Sequence, residues 1–134
     1  MNVSKLSAIA LLLAVIGACD SGQDPGTLPQ CQAVVTMSVS SGATPTISWA
    51  PRCRVSTVVV DPNSDFFDSW VLRTAADTNG LQPPIRYGAS PNGSVTTIPP
   101  AVLQVGTQYR ARVLRATGDS TFPFEAIGAA FFTP

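Results

Sequence analysis

The stretch Leu103-Gln104-Val105-Gly106-Thr107-Gln108-Tyr109-Arg110-Ala111-Arg112-Val113 decides the fold. It reads two ways. Val102, Val105, Tyr109 and Val113 recur at helical spacing, whereas Tyr109, Ala111 and Val113 alternate with Arg110, Arg112 and Leu114 at strand spacing. Gly106 inside the run weakens a helix, and the arginine alternation suits a sheet with one solvated face. The strand reading makes the whole chain all-β, because nothing else in it supports a long helix.

Working outward, prolines interrupt every other candidate helix beyond residue 31. Between them lie short β-favouring runs bounded by turn residues. These are Ala33–Val39, Thr46–Trp49, Arg54–Val60, Phe67–Arg73, Ser94–Ile98, Thr107–Ala116 and Glu125–Phe132. Leu81–Tyr87 contains Pro83-Pro84, which restricts it to an edge or extended segment. Seven or so short strands with turns at near-regular intervals predict an antiparallel β-sandwich over residues 31–134.

Two stretches sharpen that expectation. Ile47-Ser48-Trp49-Ala50-Pro51 and the Leu103–Val113 run resemble a fibronectin type III domain. The resemblance implies an immunoglobulin-like sandwich with Trp49 in the core of the second strand. It implies also that Leu103, Gly106 and Thr107 lead into Tyr109, whose ring packs inward while its hydroxyl returns to nearby backbone, a tyrosine corner.

The amino terminus carries a different signal. Lys5 precedes the apolar run Leu6–Ile16, and Gly17-Ala18 follow. That order describes a secretory leader, and the run falls short of the roughly 20 residues needed to span a bilayer. Ile16-Gly17-Ala18-Cys19 resembles the lipobox of bacterial lipoproteins. The resemblance implies cleavage after residue 18 and lipidation of Cys19, which anchors the chain to a membrane of the cell envelope with its domain outside the cytoplasm. Residues 19–30, rich in Gly, Pro and Asp, then read as a flexible tether.

Cys31 and Cys53 remain. In an oxidising compartment they are expected to pair. Zinc is a poorer reading, since two thiolates without any histidine leave the ion short of ligands.

Charge and composition narrow the function. Past the leader no lysine remains, and seven arginines face eight acidic residues. This balance lacks the basic footprint of a nucleic-acid binder. The absence of histidine removes the commonest activator of a serine nucleophile. No phosphate-cradling glycine loop or other cofactor motif is present. Asp61-Pro62-Asn63-Ser64-Asp65-Phe66-Phe67-Asp68-Ser69-Trp70 opens with calcium-loop spacing, but Phe66 occupies the glycine position and Leu72 the bidentate glutamate position. The expectation is a hairpin turn with solvated carboxylates. Phe66, Phe67 and Trp70 beside it are candidate binding residues, because loop aromatics stack on sugars or anchor partners. Arg110 and Arg112 are expected to face outward and keep the sheet soluble, with bidentate pairing to carboxylates or phosphates as the alternative. The best functional expectation is a non-catalytic binding or assembly module that contacts an envelope protein or a glycan. A carbohydrate-binding domain, or an enzyme built on Asp61–Asp68, are its rivals.

Overall fold

The computed structural model describes residues 27–64, 67–76 and 78–134. The leader, Cys19, most of the tether and Phe66 lie outside the described residues.

The described chain is all-β, with eight strands in two antiparallel sheets. They are β1 (Thr36–Val39), β2 (Thr46–Ala50), β3 (Thr57–Pro62), β4 (Trp70–Thr74), β5 (Ile85–Arg86), β6 (Ser94–Ile98), β7 (Tyr109–Ala116) and β8 (Phe124–Phe132). The order is β1-β2-β5 in the smaller sheet and β6-β4-β3-β7-β8 in the larger. The two inner faces enclose one core.

The deciding stretch is therefore a strand. Tyr109, Ala111 and Val113 are buried, while Arg110, Arg112 and Leu114 sit on the other face and are half-exposed. Arg54–Val60 proves shifted. Arg54 and Val55 make single bridges to Gln30 and Leu81, and the continuous ladder begins at Thr57. β3 is central, pairing β4 on one side and β7 on the other. Val58 and Val60 face the core. Thr57, Val59 and Asp61 face outward yet are also buried, screened by Val71 and Arg73 on β4 and by Arg110, Arg112 and Leu114 on β7.

Prolines shape the smaller sheet. In the extended Leu81–Tyr87 segment only Ile85 and Arg86 reach β2, after a cis bond between Pro83 and Pro84. The Cys31–Cys53 disulfide forms, with 4.9 Å between Cα atoms, and joins the entering chain to the segment before β3. Trp49 is buried, and its indole donates a 2.8 Å hydrogen bond to the Cys53 carbonyl. That bond ties β2 to the disulfide.

β1 and β8 close one side of the sandwich. The Val35 N–H donates to the Ile127 carbonyl at 2.8 Å. Gly128 is needed there, since a Cβ would lie 2.7 Å from Val35 Cγ2 and 3.0 Å from Met37 Cγ.

Candidate functional site

The two ends of the sandwich differ in chemistry. The end where residues 29–32 enter is tightly bonded by polar groups, with Phe122 exposed on the β7–β8 connection. Asn79 is buried there and pairs both ways with the Ala116 backbone, accepting from its N–H at 2.8 Å and donating to its carbonyl at 3.1 Å. Arg115 bridges Glu125 at 2.6 Å and donates to the Gln32 carbonyl. The small cavities at this end are lined by polar groups already engaged in these bonds.

The opposite end is apolar. It is built from the β1–β2, β3–β4 and β6–β7 connections. Tyr109 opens β7 there, and its hydroxyl accepts a 2.8 Å hydrogen bond from the Gln104 N–H, five residues upstream. Gly106 adopts a left-handed φ of 81°, and Leu103 is buried. This folded-back loop throws Val102 and Val105 into solvent, 84% and 89% exposed. Phe67 joins them on the β3–β4 connection at 83%. The two loops are bonded together, the Ala101 N–H donating to the Ser69 carbonyl at 2.9 Å and Asn63 to the Gln108 carbonyl and side chain.

Between the β6–β7 connection, the end of β5 and the β1–β2 turn opens a cleft of about 350 Å³. Its walls are Ala43 and Thr44, Tyr87 and Gly88, and the run Pro100–Leu103. That volume falls near the lower end of small-ligand sites, enough for one or two side chains. Gly88 takes a left-handed φ of 79°, and a Cβ on it would meet the Pro100 ring at 3.4 Å. Tyr87 is buried, packs edge-on against Trp70 with centroids 5.2 Å apart, and donates to the Ala101 carbonyl at 2.8 Å. Burial, helped by neighbouring Tyr109, pushes its phenol up to about 12. It stays neutral, so the cleft offers apolar surface and no ionised group of its own.

The aromatic candidates of the sequence separate. Phe67 is exposed, but Trp70 is fully buried and its ring presents no face to solvent. Its indole N–H has no hydrogen-bond partner and points into the core packing. The surface that accompanies Phe67 is aliphatic, formed by Val102 and Val105. Neither valine was singled out for binding by sequence, because both sit at helical spacing with Tyr109 and Val113 and read there as buried positions. Only the bend at Gly106 turns them outward.

The acidic turn is corrected. Asp61 is not solvated but 2% exposed, the last but one residue of β3. Arg110 reaches it at 2.6 Å and Arg112 at 3.1 Å, and Arg112 extends to Asp68 at 3.5 Å. The carboxylate pairing kept as the alternative for these arginines is the arrangement found, because Asp61 lies opposite Arg110 in the ladder and Arg112 follows on the same face. Among the described residues, Asp61 and Asp68 are each paired with a guanidinium. Among the described residues no three His, Cys, Asp or Glu side chains gather as metal ligands. No helix in the described residues is long and apolar enough to cross a membrane.

No family model, no curated protein and no solved structure matches the chain.

Proposed function

We propose that the protein is a lipid-anchored envelope lipoprotein whose fibronectin type III-like sandwich is a non-catalytic binding or assembly module. The observation that carries the binding role is the apolar cleft with exposed hydrophobic side chains on the loops at its end of the sandwich. Exposed Val102 lines an apolar cleft at the end remote from residues 29–32, where the tether enters, and exposed Phe67 and Val105 lie on loops at that same end. An exposed apolar cluster rimmed by polar loops is the signature of a contact surface. Anchoring at residue 19 then directs that surface away from the membrane. The lipobox resemblance of Ile16–Cys19 supports the anchor. The likeness to fibronectin type III domains draws support from strand order, with β3, β7 and β8 adjacent as C, F and G strands are, and from the tyrosine corner.

A protein partner is preferred over a glycan. Trp70, the ring best suited to stack on a sugar, is in the core, and the exposed surface keeps a single ring, Phe67, beside aliphatic Val102 and Val105.

Two experiments test this reading. Cys19→Ser is expected to abolish acylation and leave an unprocessed precursor, and normal lipidation of the variant contradicts the anchor. Crosslinking in intact cells, followed by purification and mass spectrometry, is expected to recover one reproducible envelope protein. That recovery falls in Val102→Arg, an exposed position where folding is unaffected. Equal recovery with Val102→Arg contradicts the assignment of the surface.

A further inference from the structure

The β7–β8 connection sits at the end of the sandwich where the chain enters. β7 runs from Tyr109 at the cleft end to Ala116, and β8 returns from Phe124. Residues 117–123 therefore turn near the entering chain, and Gln30, Gln32, Arg115 and Thr117 line one small cavity there. The turn is braced from within. The Thr117 N–H donates to the Pro123 carbonyl at 3.0 Å, and the Thr117 hydroxyl donates to the Phe122 carbonyl at 2.6 Å. The same hydroxyl accepts from the Asp119 N–H at 3.0 Å, and the Asp119 carboxylate accepts from the Thr121 N–H at 2.7 Å.

This braced turn holds Phe122 in solvent, 72% exposed. Two residues on, Phe124 lies under the Arg73 guanidinium at 4.7 Å, but Phe122 stands clear. Val34, on the entering chain, is 80% exposed. It lies between Gln32, whose carbonyl Arg115 holds, and Val35, which bonds Ile127. A single exposed ring is ordinary on a protein surface. What distinguishes Phe122 is its place. Residues 19–29 span at most about 40 Å when fully extended. A lipid on Cys19 thus keeps this end of the domain near a bilayer. That reach exceeds the length of the eight-residue β7, about 26 Å, so the anchor alone does not set the tilt of the domain.

We infer that the β7–β8 turn is a membrane-contact site, in which Phe122 enters the headgroup boundary of the bilayer that holds Cys19 and Val34 lies against it. This rests on the lipid-anchor reading. The contact stands the domain upright and turns its cleft outward. Burying one phenylalanine ring shifts such an orientational equilibrium about tenfold or more. That is too little to hold an unanchored domain, since even one myristoyl chain binds a membrane only marginally. The anchor makes up the difference, because it turns insertion into an intramolecular step. The attraction is apolar. The turn carries one charge, Asp119, which is negative, and Arg115 beside it is paired with Glu125. Salt therefore leaves the contact unchanged.

The test uses the full lipidated chain in vesicles of phosphatidylcholine and phosphatidylethanolamine. Ser120→Cys, on the same turn, supplies one free thiol, since Cys31 and Cys53 are paired and Cys19 is acylated. A nitrobenzoxadiazole label on that thiol is expected to brighten on the vesicles, at low and high salt alike, and to be quenched by lipids spin-labelled near the headgroup. Phe122→Asp is expected to lower the inserted fraction about tenfold or more. Equal brightening with Phe122→Asp overturns the inference, as does an equal response from the label at Val105→Cys on the cleft end. A label at position 120 that stays dim while the chain is vesicle-bound overturns the inference and leaves the anchor standing. A chain that stays in solution overturns the anchor and the inference with it.

Discussion

Tyr109 holds the apolar end together. Its ring is buried and stacks on Phe132, and its hydroxyl accepts the Gln104 N–H. Tyr109→Phe is expected to cost about 1 kcal/mol, because a backbone donor loses its acceptor. Urea denaturation measures this, and an unchanged midpoint contradicts the corner. Asp61 is the second deciding residue. Asp61→Asn strips two arginines of their shared carboxylate. Loss of one partner from a fully buried pair costs roughly 3–5 kcal/mol. Arg110 and Arg112 keep about a third of their side chains exposed and rehydrate, so about 2 kcal/mol is expected here. Asp68→Asn, at an exposed and longer pair, is expected to cost under about 1 kcal/mol. The third is Tyr87. Its phenol ionises near 10 in the unfolded chain and near 12 in the fold. The folded state thus holds a proton that the unfolded state releases. Stability is complete below pH 10 and falls as pH rises toward 12. Tyr87→Phe is expected to flatten that part of the fall, measured by denaturation at a series of alkaline pH values.

Strand β8 carries the sharpest steric demand. Gly128 lies under Val35 and Met37, so Gly128→Ala is expected to cost about 2 kcal/mol by overpacking. Val35→Ala in the same chain is expected to recover part of that loss, and a double-mutant cycle reads the coupling. Strand identity was largely legible in the sequence, since alternation at Tyr109–Val113 and the valine run before Asp61 each have one solution as strands. Strand ends were not. Arg54 and Val55 have β-favouring neighbours, but the Cys31–Cys53 bridge draws them toward Gln30 and Leu81 before the ladder starts. Asp61 was misread because a turn-forming proline follows it, while its burial depends on arginines 49 and 51 residues away. The disulfide was legible from compartment and count. The cleft was not, since it is assembled from the β1–β2 turn, the end of β5 and the β6–β7 connection, whose meeting depends on the register of both sheets.

At the scale of the molecule, one end is sealed by hydrogen bonds and a disulfide around the entering chain, and the other presents apolar side chains on loops held by Tyr109, Tyr87 and Ala101. Rigid loops at one pole of a sandwich suit recognition, because their backbone is fixed by the sheets beneath them. The most direct measurement places a photo-crosslinking amino acid singly at Val102, at Val105 and at Gln32 in the full chain in intact cells. The account predicts adducts of one size from Val102 and Val105 and none from Gln32, at the end where the chain enters. An adduct from Gln32 with none from Val102 or Val105 would contradict it and move the working surface to that end.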